Sequence, residues 1–246
     1  MICIILAAGY ATRLYPLTEN YPKPLLKIGN KCILDWIIDD IENTDEVDKY
    51  CIVANHRFAK CFEKWAIEKK YAASIIDDGT ETNDTRLGAV RDLSVALEVL
   101  GATDDCLVLA GDNLLDFSLD IFISYAKKKG TSCVMRYFEN DADRLSRAGV
   151  LTVGDNDLVV GMQEKPTSPK SNWCCPPFYY LKARDIARID EAIENGCGTD
   201  APGSFIAWLC ERAPIHAMKM PGKRYDIGSI TSYEYAQREY KGINQK

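Results

Sequence analysis

The first eighteen residues decide the fold, and they read Met1-Ile-Cys-Ile-Ile-Leu-Ala-Ala-Gly-Tyr-Ala-Thr-Arg-Leu-Tyr-Pro-Leu-Thr18. Residues 1–8 form an unbroken apolar run that is rich in isoleucine and too short for a helix. Such a run is typical of a strand that is buried on both faces in a parallel sheet. Gly9 follows, and a glycine just past such a strand lets backbone N–H groups approach a phosphate closely. We therefore expect an α/β fold with a ligand site at this loop.

The rest of the chain extends this pattern in two parts. Short apolar strands are predicted at 50–54, 72–76 and 106–110, and they alternate with predicted helices at 32–41, 56–69 and 87–100. This alternation indicates β-α-β units and a mostly parallel sheet. The later strands, at 132–138, 149–153, 158–163, 178–181 and 215–220, follow a less regular rhythm, with helices at 183–194, 204–212 and 231–240. We predict a single domain over 1–246, divided into halves at 1–115 and 116–246.

Composition narrows the class of protein and its partners. The chain has 246 residues, 47% of them hydrophobic and 27% charged, which argues against a disordered tail or a fibrous repeat. A net charge of −6 makes nucleic acid an unexpected partner. No apolar run approaches the ~18 residues of a membrane-spanning helix. Ten scattered cysteines without a C-x-x-C pair, together with only two histidines, argue against a disulfide scaffold or a zinc site and favour a reduced, cytoplasmic protein.

The loop after the first strand carries groups that suit an anionic ligand. Thr12 offers a hydroxyl donor, Arg13 offers a fork of donors for phosphate oxygens, and Lys23 offers a mobile positive charge between Pro22 and Pro24. An ordinary strand-to-loop turn with two surface cations is the alternative. The glycine alone would not distinguish the two interpretations, whereas the complete string of residues favours a phosphate site.

At this point the sequence resembles the sugar-1-phosphate nucleotidyltransferases, a group that includes glucose-1-phosphate thymidylyl-, uridylyl- and cytidylyltransferases. Their signature is L-A-x-G-x-G-T-R-L-x-P-x-T followed by a P-K-x-x-x-P-like segment, and this chain departs from it twice. Ala11 replaces the second glycine, which we expect to be accommodated at a negative φ, and residues 26–28 replace the later proline. The resemblance implies a Rossmann-like three-layer sandwich with a mostly parallel, mixed central sheet of the nucleotide-diphospho-sugar transferase, GT-A-like type.

The resemblance also implies that the first half binds the nucleotide and the second half the acceptor. The implied nucleotide-binding residues are Leu6, Ala8, Gly9, Thr12, Asn83 and Gly88. Arg13 and Lys23 would be the catalytic cations. Asn83 and Gly88 would lie against the nucleobase, whereas Asp84 and Thr85 are expected to cap the following helix.

Two acids match the family's magnesium ligands, namely Asp112 at the end of an apolar strand and Asp226 in Tyr225-Asp-Ile-Gly-Ser229. Mg²⁺ prefers hard oxygen ligands, and one or two carboxylates suffice when substrate phosphates and water complete the shell. A single strand-end aspartate is more often a cap or a turn residue, so the pair carries the prediction.

Three residues are expected to hold the acceptor. Gly149 would leave room for a sugar ring, Glu164 would accept hydrogen bonds from sugar hydroxyls, and Lys165 would contact the sugar phosphate. Without the other motifs, Glu164 and Lys165 would be interpreted as a charged strand end before a loop.

Together these expectations describe an Mg²⁺-dependent enzyme that couples a nucleoside triphosphate, preferably a pyrimidine one, with a sugar 1-phosphate. No protein nucleophile is required, because the acceptor phosphate is already anionic. Residues 173–177, Trp-Cys-Cys-Pro-Pro, depart from the family and leave open a CTP-dependent enzyme for a phosphorylated amino-alcohol or polyol such as phosphocholine, with Trp173 against the cationic head. A non-catalytic nucleotide-sugar-binding regulatory module is the alternative from another class.

A glycosyltransferase is disfavoured, because the Gly-Asp-Asn at 111–113 lacks a D-x-D spacing. The sequence leaves formation of a homo-oligomer open.

Overall fold

The computed structural model describes residues 1–101 and 103–243, so residue 102 and residues 244–246 of the expected domain lie outside it. Its strands are β1 (Ile2–Leu6), β2 (Lys27–Ile28), β3 (Lys31–Cys32), β4 (Lys49–Ala54), β5 (Ala73–Asp77), β6 (Cys106–Ala110), β7 (Asn113–Leu115), β8 (Ser132–Phe138), β9 (Gly149–Val153), β10 (Val159–Glu164), β11 (Trp173–Cys175), β12 (Phe178–Leu181), β13 (Ile215–Lys219) and β14 (Arg224–Asp226). Its α-helices are α1 (Ile33–Glu42), α2 (His56–Lys69), α3 (Ala89–Leu100), α4 (Leu119–Lys129), α5 (Ala142–Leu145), α6 (Ala183–Ile186), α7 (Ile189–Glu194), α8 (Gly203–Leu209) and α9 (Ile230–Glu239).

One large sheet runs through both halves of the chain. Its strand order is β10-β9-β11-β8-β12-β6-β1-β4-β5, with β13 also paired to β8. Strands β1, β4, β5, β6, β8, β9 and β13 share one direction, and β10, β11 and β12 run the opposite way. The predicted mixed, mostly parallel sheet is therefore confirmed, and its two halves meet where β12 pairs with β6.

Helices cover both faces of this sheet, which produces the predicted three layers. Neighbouring residues of β1 show the division, because side chains alternate between the faces of a strand. Cys3 and Ile5 pack in one core cluster with residues of α1, α2 and α4, whereas Ile4 packs in a second cluster with residues of α3, α7 and α8. All three side chains are fully buried. This explains the unbroken apolar run with which the chain begins.

The structure differs from the predicted helices in three regions, namely α4, the short α5 and residues 183–194. The sequence pattern did not predict α4, although Ser118 caps its N-terminus and Gly130 ends it in a left-handed conformation. The helix predicted over 183–194 is instead two short helices, α6 and α7. The N–H of Arg188 bonds to the carbonyl of Asp185, three residues back, and this tighter turn redirects the chain so that Ile189 enters the core.

The ten cysteines are unpaired thiols, and most of them are buried. In the part of the chain that the structure describes, no helix combines the length and the apolar character that crossing a membrane requires.

Candidate active site

The loop after β1 is anchored to both neighbouring strands. The carbonyl of Leu6 accepts the N–H of Gly111, which follows β6, at 2.9 Å. On the other side, Asn55, which follows β4, donates its side-chain amide to the carbonyl of Ala8 at 2.9 Å. Ala8 is buried, whereas Gly9 is exposed at the surface of the loop. The loop backbone that was predicted to face a phosphate is therefore anchored to both neighbouring strands, and it is exposed to solvent at Gly9.

Ala11 adopts a left-handed conformation, with φ 49° and ψ 39°. The expectation of a negative φ at this position was wrong. The carbonyl of Ala11 accepts the N–H of Leu14 at 2.9 Å and the hydroxyl of Thr18 at 2.8 Å, so the turn is fixed in this geometry. A left-handed residue with a Cβ costs roughly 1–2 kcal/mol relative to glycine's freedom. The alanine thus takes the backbone conformation for which a glycine is best suited, and the adjacent Thr12 and Arg13 are exposed.

Lys23 and Asp112 form an ion pair between Nζ and Oδ2. The Lys23 side chain is only 14% exposed, which places its charge in the site rather than in solvent. The other oxygen of Asp112, Oδ1, accepts the side-chain amide of Asn113 at 2.6 Å. Burial raises the pKa of Asp112, but Lys23, Asn113 and Arg224 outweigh that effect and bring the pKa below its usual value. Asp112 is therefore a carboxylate.

Asp226 lies beside Asp112 because of the pairing between β14 and β7. Asp226 is opposite Asn113 in this antiparallel pair, and the N–H of Ile227 donates to the carbonyl of Asp112 at 3.0 Å. Although 48% of the Asp226 side chain is exposed, partial desolvation by the surrounding protein raises its pKa; Arg224 opposes this rise, and the charge of Asp112 adds to it.

Four of the predicted residues therefore share one electrostatic environment. Desolvation raises the pKa of Asp226, and the charges of Lys23 and Arg13 both oppose that rise. Among the described residues, Arg13 makes no hydrogen bond or ion pair of its own, which leaves its guanidinium available.

The donor set fits a magnesium ion. Two hard carboxylates lie side by side, and the ammonium group of Lys23 on Asp112 shows that this position attracts a cation. Within residues 1–101 and 103–243, no group of three or more acidic, histidine or cysteine side chains could hold a metal by itself. Mg²⁺ does not need such a group, because it retains several waters and binds substrate phosphates.

The loop predicted to face the nucleobase is fastened to the second half of the chain. Gly88 has φ 88°, and a Cβ built on it would lie 2.5 Å from the carbonyl oxygen of Thr199. Only glycine fits a backbone with this φ and this close an approach. The N–H groups of Ala89 and Val90 then donate to the carbonyls of Asp200 and Thr199, at 3.3 and 3.0 Å.

Asp84 and Thr85 do not cap α3 as predicted, since Gly88 holds that position. Thr85 instead exchanges capping hydrogen bonds with Thr82 around a 3₁₀ turn at Asn83–Thr85. Asn83 is exposed on this turn, and its backbone carbonyl accepts a hydrogen bond from Nη1 of Arg86 at 2.8 Å. The chain makes one additional turn before the helix, which the sequence pattern alone did not indicate.

Gly149 and Glu164 are opposite each other in the β9–β10 pair. A Cβ at Gly149 would lie 3.0 Å from Oε2 of Glu164, and a Cβ at Gly203 would lie 2.1 Å from the same atom. The space beside Gly149 therefore holds the Glu164 carboxylate and the end of the Met162 side chain, and a bound sugar ring would share this space with them. Among the described residues nothing donates a hydrogen bond to this carboxylate, and burial raises the pKa of Glu164.

Lys165 has a left-handed φ of 46°, and its Nζ lies 3.4 Å from Oδ2 of Asp200. Asp200 also receives Arg86, whose Nη2 is 3.0 Å from Oδ1. No hydrogen bond or ion pair within the described residues joins Glu164 or Lys165 to the Lys23–Asp112–Asp226 group. Asp200 was not predicted from the sequence, because it meets Arg86 across 114 positions of the chain.

Trp173 is engaged with its neighbours. The guanidinium of Arg136 lies 4.9 Å from the centre of its ring, and Phe138 meets it edge-on at 5.2 Å. One face of the indole therefore already carries a cation.

Comparison with known proteins places the chain in a family. A family model described as nucleotidyl transferase matches residues 2–242, so the chain belongs to the nucleotidyl transferase family. The chain is 28% identical over 230 residues to the bifunctional protein GlmU of Methanococcus maripaludis strain C5, which covers 93% of this chain and 51% of that protein. It is 23% identical over 247 residues to the glucose-1-phosphate adenylyltransferase of Fervidobacterium nodosum, which covers 95% of this chain and 59% of that protein. The resemblance seen in the motifs is thus confirmed at the level of the family.

A solved structure of UDP-glucose pyrophosphorylase complexed with UDP-glucose matches with a TM-score of 0.82 at 21% identity, covering 97% of both chains. This likeness confirms the predicted fold class. The chain spans about half the length of the GlmU proteins that it matches.

Proposed function

We propose that the chain is an Mg²⁺-dependent nucleotidyltransferase that couples a nucleoside triphosphate with a sugar 1-phosphate and releases pyrophosphate. The observation that carries this proposal is the arrangement of Lys23, Asp112 and Asp226, from three separate elements, at one point beside the loop after β1. Two anions must be brought in line for this reaction, so cations have to neutralise both. The arrangement provides a cation and two carboxylates that can hold another cation. The reaction does not require a nucleophile from the protein.

Lys23 is the cation for the α-phosphate. In the structure its ammonium group pairs with Asp112, and a bound α-phosphate would replace that carboxylate as the partner of Lys23. Arg13, exposed at the rim and close enough to influence Asp226, would hold the leaving β- and γ-phosphates. Arginine suits this task because its planar fork matches phosphate oxygens in pairs. The neighbouring wall of the nucleotide site would be formed by Leu6, Ala8, Gly9 and Thr12.

Asp112 and Asp226 would hold the Mg²⁺ ion, which neutralises the charge that develops on the phosphates. The displacement of Lys23 from Asp112 would leave the Oδ2 atom of this carboxylate for the metal. Asp226, whose pKa partial desolvation raises, would then be held as a carboxylate by the added positive charge.

The acceptor site is supported by the state of Glu164. Glu164 is half-buried and accepts no hydrogen bond from the described residues, and the hydroxyl groups of a sugar would supply donors to it. Lys165 would turn from Asp200 to the acceptor phosphate, a small movement for a half-exposed side chain at 3.4 Å. Asn83 and Gly88 would face the base, and we retain a pyrimidine as the favoured one.

The alternative acceptor with a cationic head is less well supported. Arg136 already lies over one face of Trp173, where the cationic head would have to bind. A non-catalytic binding module is also less well supported, because the two cations and the two acids are all present. We propose one domain over 1–246, with the nucleotide in the first half and the acceptor in the second.

Pyrophosphate release tests this function directly. The purified chain is incubated with Mg²⁺, each of five nucleoside triphosphates (dTTP, UTP, CTP, ATP and GTP), and each of several acceptors: glucose 1-phosphate, N-acetylglucosamine 1-phosphate, mannose 1-phosphate and phosphocholine. We expect release with at least one sugar 1-phosphate, formation of the matching nucleotide sugar by mass spectrometry, and loss of both in Asp112→Asn. Asp120→Asn, an exposed acid on α4, is the matched control. The absence of release with every pair would contradict the proposal.

A further inference from the structure

Arg224 lies beside the two acids and contacts Asn113 in the first half of the chain and Tyr137 in the second. It lies two residues before Asp226 on β14, so the two side chains project from the same face of the strand. Its Nη1 donates to Oδ1 of Asn113 at 2.7 Å and lies 3.5 Å from Oδ2 of Asp226. Its Nη2 donates to the hydroxyl of Tyr137 at 3.1 Å. The guanidinium is thus tethered at both ends, and its side chain is only 17% exposed.

Asn113 passes this constraint on to Asp112. It is 3% exposed, and its side-chain amide donates to Oδ1 of Asp112 at 2.6 Å while its oxygen accepts Arg224. A flipped amide would place NH₂ against a guanidinium and oxygen against a carboxylate, so only one orientation satisfies both neighbours. Asp112 is therefore held with Oδ1 toward Asn113 and Oδ2 toward Lys23.

We propose that Arg224, acting through Asn113, is a positioning residue that holds Asp112 and Asp226 as an oriented pair for a divalent cation. The inference rests on the proposed function, since it assigns a geometry to the same two acids. Residues that orient metal-binding carboxylates through hydrogen bonds typically change metal affinity 10–100-fold when they are removed.

Charge and geometry have opposite effects here, and this makes the inference testable. A positive guanidinium near a cation repels it, so an effect of charge alone predicts tighter metal binding when the charge is removed. Lysine keeps the charge but lacks the planar guanidinium that sets Nη1 against Oδ1 of Asn113. Arg224→Lys therefore removes the geometry and leaves the charge.

The experiment measures Mn²⁺ binding to the purified chain from the electron paramagnetic resonance signal of the free ion. We expect Arg224→Lys and Asn113→Ala each to weaken Mn²⁺ binding about 10-fold or more. The double variant should bind Mn²⁺ as tightly as the single variant with the lower affinity, because the two residues act in series. Arg144→Lys, at an arginine whose side chain is 73% exposed, is the matched control. Parental Mn²⁺ affinity in Arg224→Lys, or losses that multiply in the double variant, would overturn the inference.

Tyr137→Phe provides a second check that does not depend on Asn113. It releases Nη2 but leaves Nη1 on Asn113, so the Mn²⁺ affinity should remain within about twofold of the parent. A loss as large as that of Arg224→Lys would overturn the assignment to Asn113. Circular dichroism of each variant establishes that it is folded.

Failure of this inference is distinguishable from failure of the proposed function. A parent chain whose Mn²⁺ binding is lost in Asp112→Asn, but which releases no pyrophosphate with any pair of substrates, would contradict the function and leave the positioning role in place. A parent that releases pyrophosphate while Arg224→Lys retains full Mn²⁺ affinity would contradict the positioning role alone. The absence of Mn²⁺ binding that depends on Asp112 would contradict both.

Discussion

Lys23 donates to Asp112 across 89 positions of sequence, and this pair joins the proline-bracketed turn of residues 22–24 to the end of β6. The contact holds a cation beside a carboxylate in a largely enclosed place. Because Asp112 also accepts Asn113, release of Lys23 would not leave the acid without a partner. The pair therefore suits a step in which Lys23 leaves Asp112 and contacts the phosphate of a bound substrate.

Replacing Lys23 tests this exchange. Lys23→Ala should lower kcat by ~10²–10³, as is typical when a preorganised group that stabilises transition-state charge is lost. The fold should remain, since Asp112 still accepts the hydrogen bond of Asn113 and is still stabilised by the charge of Arg224. Lys31→Ala, which breaks the surface pair with Asp39, is the control and should retain parental turnover. A rate for Lys23→Ala close to that of the parent would remove Lys23 from the proposed mechanism.

Ala11→Gly should stabilise the chain. Its backbone is left-handed, and relief of the Cβ clash outweighs the extra freedom that glycine gives to the unfolded state, for a net gain of about 1 kcal/mol. Ala207→Gly, inside α8, should lose about 0.5–1 kcal/mol, because there alanine has the favoured conformation. Urea denaturation of both variants measures the difference. Equal destabilisation by the two changes would show that the left-handed turn at Ala11 does not persist in solution.

Gly88→Ala should destabilise the chain by about 2 kcal/mol or more, since it combines a left-handed φ with a clash against the Thr199 carbonyl. Gly130→Ala is the matched comparison, because Gly130 has φ 70° with open space around it and should lose only the conformational part, about 1 kcal/mol. Thermal and urea unfolding of the two variants give the comparison. Identical losses would mean that the loop near Gly88 can move away from Thr199.

Stability should depend on the buried acid Asp92. Burial raises the pKa of Asp92 to about 7, and the neighbouring Asp78 adds to the rise. The folded state therefore binds a proton that the unfolded state releases near pH 4, so stability falls as pH rises from about 4 to about 7 and then levels off. We expect this part of the loss to be about 4 kcal/mol, because each unit of difference between the folded and unfolded pKa is worth about 1.4 kcal/mol.

Asp92→Asn should remove that dependence, because asparagine stays neutral over this range of pH. The measurement is the free energy of unfolding in urea at several pH values between 4 and 8. Asp155→Asn, at an exposed acid, is the control and should keep the parental slope. A slope in Asp92→Asn equal to that of the parent would assign the pH dependence to other groups.

Local patterns predicted most of the regular structure. Strands such as Cys106–Ala110, Ser132–Phe138 and Phe178–Leu181 occur where the apolar runs indicated them, because burial on both faces leaves a signal within a few residues. Helix α4 was missed even though its cap and its terminal glycine are in the sequence. Strand β14 was also missed, because three residues paired with β7 carry no periodic signal of their own.

The sequence by itself determined the fold class and the family and predicted the candidate acids and cations, since each is carried by a short run of neighbouring residues. The partners of those residues were decided only by the tertiary structure. Arg224 meets Asn113 across 111 positions, and Asp200 meets Arg86 across 114. Such contacts depend on strand register and loop packing, which bring distant parts of the chain together. For the same reason the left-handed φ of Ala11 emerged only from hydrogen bonds that close the turn around it.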